Sequence, residues 1–179
     1  MSTLQVQTLQ GPTSGADSNT VRVADGHNLH AKGHVVQTVL TTSTTSTSSG
    51  ATGWVANTLL DTSFTPLFSN SLIIVQVNLQ VNIAAASGNS SAGGAVRIKS
   101  GTTVIGGNPS GALEMYYLRY PLAGFAPDIY QSYVKTVEDD SGDTGARTYT
   151  FETQLYTGST VFRVSPVSPS TMKIMEIAQ

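Results

Sequence analysis

The feature that most constrains the fold is an alternating segment from Ile73 to Ile83. Successive side chains of a β-strand point to opposite faces, whereas a helix would spread the same residues around its circumference. The segment is therefore predicted to be a strand with one apolar and one polar face. The apolar face holds Ile73, Val75, Val77, Leu79, Val81 and Ile83, and the other face holds Ile74, Gln76, Asn78, Gln80 and Asn82.

Shorter strand-like segments occur on both sides of this one, separated by clusters of Gly, Ser, Asn, Asp and Pro. Many short strands between such turns are typical of an all-β sandwich or barrel. The predicted strands are 4–9, 20–24, 34–40, 54–60, 95–99, 113–120, 149–156, 161–164 and 172–177.

Two segments leave an alternative open. Residues 127–137 fit either a helix, because apolar residues recur at i,i+4 spacing, or a loop that leads into a strand. The Ser/Thr-rich stretch 41–53 is either an exposed connection between two strands, itself partly extended, or a disordered linker. Threonine is β-branched and favours extended chain, so we favour the connection.

The composition excludes several classes of protein. Only 11% of the residues are charged, the net charge is -2, and the nine basic residues are scattered, whereas a nucleic-acid-binding surface needs clustered Lys and Arg. No apolar stretch reaches the length of about 20 residues that spans a bilayer, and no signal peptide is expected. The chain has no cysteine and carries no catalytic motif, so we expect no enzyme activity and no cofactor or metal.

The uncharged row Gln76, Asn78, Gln80 and Asn82 is a candidate interface. Solvated strand faces usually include Lys and Glu, and an uncharged row suits packing against a symmetry-related copy, where like charges would otherwise meet. An ordinary solvated face in a protein of low charge is the alternative.

A second candidate surface is a group of tyrosines at positions 116 to 133. These side chains could stack on a sugar or contact a protein partner, or they could fill one end of the sandwich. The group comprises Tyr116, Tyr117, Tyr120, Tyr130 and Tyr133. The neighbouring acidic segment Glu138–Asp143 could bind calcium, although its spacing differs from that of an EF-hand loop, and an exposed turn is the alternative.

Several phrases of the sequence resemble a family of small structural proteins of tailed bacteriophages, of the fibre, decoration or minor virion type. They are MSTLQVQTLQG at the start, GHVVQ at 33–37, GWVANTLLDTSFTPLFSNSLIIVQVNLQV after the Ser/Thr run, and MKIMEIAQ at the end. The resemblance covers most of the chain, least so residues 119–145. It implies a jelly-roll-like antiparallel β-sandwich, a homotrimer and a place on the virion after synthesis in the bacterial cytoplasm. It supplies no catalytic residues.

We therefore predict two parts, an N-terminal strand segment with a hairpin-like pattern (residues 1–32) and a β-sandwich domain (33–179). The first part is too small to bury a core alone, so it is expected to anchor the protein to a capsid, collar or tail protein. The candidate anchor residues are Leu4, Val6, Leu9, Val21 and Val23. The predicted function is that of a non-enzymatic virion structural protein. The alternative is a fibre or adhesin module that binds a host receptor or surface glycan through the tyrosines.

Overall fold

The computed structural model describes residues 31–85, 92–106, 115–118, 128–155, 159–164 and 167–179. The N-terminal strand segment therefore lies outside the described residues, apart from Ala31 and Lys32, and its predicted boundary at residue 32 stays a prediction. Ala31–Gln179 form one compact unit. In the described part of the chain, every regular element is a β-strand. A helix long and apolar enough to cross a membrane is absent from the described residues.

The described residues of this unit form eleven strands in two sheets. The strands of sheet A are β1 (Val35–Ser43), β2 (Thr47–Ser49), β4 (Leu72–Ala85), β8 (Asp128–Asp140), β10 (Ser159–Val164) and β11 (Ser170–Ile177). Those of sheet B are β3 (Val55–Phe64), β5 (Ala92–Ser100), β6 (Thr103–Gly106), β7 (Met115–Leu118) and β9 (Arg147–Leu155). All the pairings are antiparallel.

Sheet A is built around the long strand β4. One edge of β4 pairs with β8 along its length. The other edge pairs first with β11 and then with β10, and these in turn pair with β1 and β2. The short strands thus lie end to end. β1 and β2 together form one line of the sheet, and β10 and β11 together form the next. In sheet B, β6 and β7 share one edge of β5 in the same way.

This strand order is that of a jelly roll. When the end-to-end strands are taken together, eight chain segments remain in the described residues, and they lie in the order first, eighth, third and sixth in sheet A. Sheet B has the order second, seventh, fourth and fifth. Two four-stranded antiparallel sheets connected in this manner are the jelly-roll form of the β-sandwich. The predicted fold class is confirmed.

The core lies between the two sheets, and β4 contributes its predicted apolar face to it. All six residues of that face, from Ile73 to Ile83, are at most 1% exposed. They pack on residues of sheet B such as Ile98 and Phe151. Close contact of the sheets depends on Gly94, where a Cβ atom would overlap the ring of Phe162 on the opposite sheet.

The two ambiguous segments are both extended where the structure describes them. Residues 128–140 form β8, so the helical alternative is wrong, because this segment forms a long ladder with β4. The Ser/Thr-rich stretch supplies the end of β1 and all of β2, as the favoured connection predicts. The short strand β6 was not predicted, and the two-residue turn before it contains Gly101 with a positive φ of 56°, a value that favours glycine.

Candidate functional site

The candidate site is the outer face of sheet A, formed by the side chains that point away from the core. Strand register aligns these residues in rows across the sheet. On β4 they are Leu72, Ile74, Gln76, Asn78, Gln80 and Asn82. On β8, in the same order, they lie opposite Asp140, Glu138, Thr136, Val134, Ser132 and Tyr130. On the other side of β4 they are Ile177, Met175, Lys173, Thr171 and Arg163, followed at the edge by Val35, Thr38, Leu40 and Thr42.

Exposed apolar side chains are concentrated on this face. Leu40 is 60% exposed, Val134 58%, and Val35 and Tyr130 are each 53% exposed. The other large hydrophobic residues with comparable exposure in the described chain, Leu67 and Val167, lie outside the strands. Single exposed apolar residues are ordinary, but a group on one sheet face is typical of an interaction surface.

The predicted amide row lies on this face, but its four members differ. Gln80 exchanges hydrogen bonds with Ser132 at 2.8 and 3.1 Å, and the Gln76 amide donates to Thr136 at 3.3 Å. Gln76, Gln80 and Asn78 are partly exposed. The row is therefore linked along β8 by uncharged side chains and is accessible over most of its length.

Asn82 differs from the rest of the row because it is fully buried. Its side-chain oxygen accepts a hydrogen bond of 2.5 Å from Nη1 of Arg163 on the adjacent strand. The side-chain oxygen of Asn78 is also buried, and it has no hydrogen-bond partner among the described residues. Asn82 thus orients Arg163 on the face, and a direct contact with a partner is left to the other three amides.

The predicted tyrosine group is divided between the two sheets. Tyr130 lies on the outer face of sheet A, whereas Tyr133 points inward and packs against the core. Tyr116 and Tyr117 lie in β7 of sheet B, and Tyr120 is outside the described residues. Among the described members of the group, Tyr130 is therefore the one that lies on the candidate interface. The candidate anchor residues Leu4, Val6, Leu9, Val21 and Val23 also lie outside the described residues.

The acidic segment Glu138–Asp143 surrounds an arginine. Nη2 of Arg147 donates to the backbone oxygen of Ser141 at 2.5 Å and to Oδ1 of Asp143 at 2.8 Å. Nη1 of the same guanidinium lies 3.7 Å from Oδ2 of Asp139. The guanidinium thus engages the carboxylates of Asp139 and Asp143 and the backbone oxygen of Ser141, and no group of metal-ligating side chains is found in the described parts of the chain.

Tyr149 makes a second contact with this acidic segment. Its hydroxyl donates to Oδ2 of Asp139 at 2.8 Å. Burial, followed by the hydrogen bond and charge of Asp139, raises the pKa of Tyr149 above its usual range, so the phenol stays protonated. Arg147 and Tyr149 together hold this loop against the end of sheet B, and they account for the charges of Asp139 and Asp143.

The outer face of sheet B carries charges that neutralise one another. Both Arg97 and Lys99 form ion pairs with Glu152, the latter at 3.2 Å. The guanidinium carbon of Arg97 also lies 4.4 Å from the ring centroid of Trp54, which is a cation–π contact. This cluster was not predicted, because its members come from β5, from β9 and from the residue before β3, and the sequence does not specify how these segments pair.

Comparisons with known proteins leave the function open. No protein-family model matches the sequence, and no curated protein matches it either. Among solved structures, the chain is similar to the D431N mutant VP2 protein of infectious bursal disease virus in derived T=1 particles. That similarity covers 95% of this chain and 41% of the other, with a TM-score of 0.33 and 12% identity. A structure of the Gx strain of the same virus gives 95% and 46% coverage, a TM-score of 0.26 and 12% identity. The chain thus spans less than half the length of either. Both TM-scores are low, so the fold assignment rests on the strand order.

The sequence pattern also did not predict that Glu176 is a buried carboxylate. Glu176 is fully buried, and its carboxylate accepts hydrogen bonds from the backbone N–H groups of Leu67 and Phe68, at 2.9 to 3.0 Å. The hydroxyl of Ser71 and the amide of Gln37 donate to it at 2.6 and 2.7 Å. Burial alone raises the pKa of Glu176, but these four donors outweigh it and lower the pKa below its usual value. Its position in the alternating pattern could have indicated burial, because Glu176 lies on the same inward face of β11 as apolar residues.

Proposed function

We propose that this protein is a non-enzymatic structural component of a bacteriophage virion, where it decorates or connects parts of the capsid or tail as a homo-oligomer. The observation that carries the proposal is the outer face of sheet A, on which exposed apolar side chains and uncharged polar side chains lie together. Most of its side chains are not ionised, the exceptions being Asp140, Glu138, Lys173 and Arg163, so the face loses less solvation energy on burial than a face of ordinary charge. It is therefore suited to lasting contact with another protein.

The size of the face supports this use. Four strand positions at about 4.8 Å spacing and 14 residues of β4 at about 3.3 Å each give a surface of roughly 900 Å². Stable protein interfaces bury about 800 Å² on each partner. One face of this sheet is thus large enough for a specific contact, without any contribution from loops.

The resemblance of the sequence to tailed-phage structural proteins supplies the virion context. The jelly-roll fold is compatible with it, but the fold also occurs in lectins and cupins and does not define a function by itself. The trimer implied by the resemblance, and the choice between capsid, collar and tail, remain predictions. In the same proposal, residues 1–30 anchor the protein to its virion partner.

The first test is the location of the protein. Particles of the encoding phage are purified on a density gradient, and this chain is quantified by mass spectrometry against the major capsid protein. We expect a fixed copy ratio across the particle fractions, and loss of the chain from particles when residues 1–30 are deleted. Recovery of the intact chain only from the soluble lysate would refute the virion assignment.

The second test addresses the face itself. Val134 and Val167 are both valines with high exposure, 58% and 68%, but only Val134 lies on the outer face of sheet A. We expect Val134→Asp to lower the oligomeric mass in native mass spectrometry and Val167→Asp to leave it unchanged. If the two variants had the same oligomeric mass, the outer face of sheet A would not be the contact between copies.

A groove between the two sheets favours a second candidate function, the binding of a host-surface glycan. The groove has a volume of about 230 Å³ and lies between β2 and β3, with Phe162 among its lining residues. Its polar lining is uncharged, and the amide of Asn57 donates to Oγ1 of Thr47 at 2.8 Å. Hydroxyl and amide groups beside an apolar surface suit a neutral sugar. If the full-length protein binds host glycans and Asn57→Leu abolishes the binding, this function is supported. If the full-length protein does not bind them, this function is excluded.

A further inference from the structure

The edges of the two sheets differ in how they prevent pairing with other chains. A strand at the edge of a sheet presents unpaired N–H and C=O groups, and proteins usually limit this hazard with charges, bulges, prolines or short strands. Within the described residues, β8 and the line of β1 and β2 form the edges of sheet A. In sheet B the edges are β3 and the line of β6 and β7.

Three of these edges carry such features. Strand β8 has five charged residues among its 13. The edge of β3 is interrupted by a large bulge, since Asn57 pairs with Phe151 but Thr62 with Tyr149, and it carries the exposed Asp61. The strands β6 and β7 have four residues each, too few for a stable ladder with another chain.

Strand β1 has none of these features along most of its length. Its nine residues, VVQTVLTTS, include no charge and no proline, and its register with β11 is regular after a shift between Val35 and Gln37. Thr38, Leu40 and Thr42 point to the outer face and are exposed. In the part of the chain that the structure describes, β1 pairs with β11 alone.

We propose that β1 pairs antiparallel with β1 of a second copy across a two-fold axis, which joins two A sheets into one continuous sheet. The inference rests on the self-association in the proposed function and names one of its contacts. A two-fold contact places a strand opposite itself, so any charged residue near the axis would meet its own kind. The absence of charge from β1 makes it suited to this contact, whereas β8 would bring acids opposite acids.

The register follows from the exposed side chains. A ladder centred on Leu40 places this residue opposite Leu40 of the second copy, and Thr38 opposite Thr42. Apolar and β-branched residues directly across an antiparallel pair stabilise it. The pairing also covers Leu40, which is 60% exposed in the single chain. The outer faces of the two A sheets then become one surface, twice as wide as in one copy.

The test uses the absence of cysteine from the chain. Leu40→Cys provides one thiol per full-length chain, and residues directly opposite in an antiparallel pair lie close enough for a disulfide after a small adjustment. Ser63→Cys is the matched control, because Ser63 is exposed on the edge strand β3. Under mild oxidation, we expect Leu40→Cys to form disulfide-linked dimers at least ten times faster than Ser63→Cys. Equal rates would overturn the pairing.

Hydrogen exchange tests the same contact without a substitution. Every second amide of an edge strand faces outward, so half of the β1 amides between Gln37 and Thr42 exchange quickly if the edge is open. We expect all of them to be protected in the full-length protein at a concentration where native mass spectrometry shows the oligomer. Fast exchange of the alternate amides at that concentration would overturn the inference.

Stoichiometry separates this inference from the proposed function. A two-fold contact predicts an even number of copies, so a protein that is solely trimeric would overturn the pairing and leave the virion role intact. Conversely, dimers linked through Leu40→Cys in a protein that is absent from particles would refute the virion role and leave the pairing intact.

Discussion

Neutralising Glu176 should destabilise the fold strongly, because this carboxylate organises the connection between β3 and β4. Two backbone N–H groups of that connection, together with the Ser71 hydroxyl and the Gln37 amide, donate to its two oxygens. In Glu176→Gln the volume is nearly unchanged, but one oxygen is replaced by an amino group that donates. The Leu67 N–H donates to both oxygens, so the new amino group leaves either the Gln37 amide or both the Phe68 N–H and the Ser71 hydroxyl without an acceptor.

The size of the effect follows from this count. A buried donor that loses its acceptor costs about 1–3 kcal/mol, so one or two such donors give a loss of about 1–6 kcal/mol. Whole domains have a free energy of unfolding of about 5–15 kcal/mol. For a domain of this length, each kcal/mol corresponds to about 2–4 °C in Tm, so the variant should melt at least about 2 °C below the wild type.

The assay is urea denaturation followed by circular dichroism at pH 7 and at a series of lower pH values. Because the folded state lowers the pKa of Glu176, its contribution is fully present above the unfolded pKa of about 4.3. It is lost as the pH falls through the lower, folded pKa. The stability difference between wild type and Glu176→Gln should therefore be largest near pH 7 and become smaller in acid.

Glu138→Gln is the matched control, since Glu138 is an exposed glutamate on β8. Surface substitutions of this kind usually change stability by less than about 0.5 kcal/mol. If Glu176→Gln changed stability at pH 7 as little as Glu138→Gln, the hydrogen bonds at Glu176 would not stabilise the β3–β4 connection, and the reasoning would be refuted. A stability difference that stayed constant as the pH fell would refute the assigned charge state.

Three further substitutions probe the packing and the acidic loop. Gly94→Val should lower the free energy of unfolding by about 1–3 kcal/mol, because its side chain overlaps the Phe162 ring; an unchanged free energy of unfolding would show that the sheets can separate freely. Leu60→Ala removes a fully buried side chain and should cost about 2–5 kcal/mol, and a loss below 1 kcal/mol, on the order of one methylene group, would contradict its place in the core. Arg147→Gln leaves the carboxylates of the loop without their guanidinium, so calcium should raise the Tm of this variant but not of the wild type. Equal responses to calcium would contradict the assignment of Arg147 as the internal cation.

The strands that could be predicted from the sequence are those whose alternation is unambiguous. β4 has a regular period of two, and all six of its predicted inward residues are buried. β8 was ambiguous because Ile129, Tyr133 and Val137 fit a helical spacing as well, and only the ladder with β4 decides the matter. Its conformation depends on residues more than 40 positions away, which local patterns do not encode.

The candidate interface was predictable in part for the same reason. Period two placed Gln76, Gln80 and Asn82 on one face, and the structure confirms that face. Exposure was not predictable, because Asn82 is fully buried and contacts Arg163, which lies 81 residues further along the chain. Likewise, the apolar residues of β1 and β8 join this face only through the register of sheet A.

The two outer faces of the sandwich differ in a way that favours one of them for contact with other proteins. On sheet B, Arg97 and Lys99 are neutralised by Glu152, and Arg97 also contacts Trp54. Burying that cluster against a partner would remove water from charges that are already paired, and it would gain little. On sheet A, the apolar side chains Leu40 and Val134 are exposed and most neighbouring polar groups are uncharged, so burial releases water from apolar surface at a small desolvation cost. The jelly roll alone does not distinguish its two faces; the exposed apolar side chains do, and they support the proposal that association uses the sheet that contains β1.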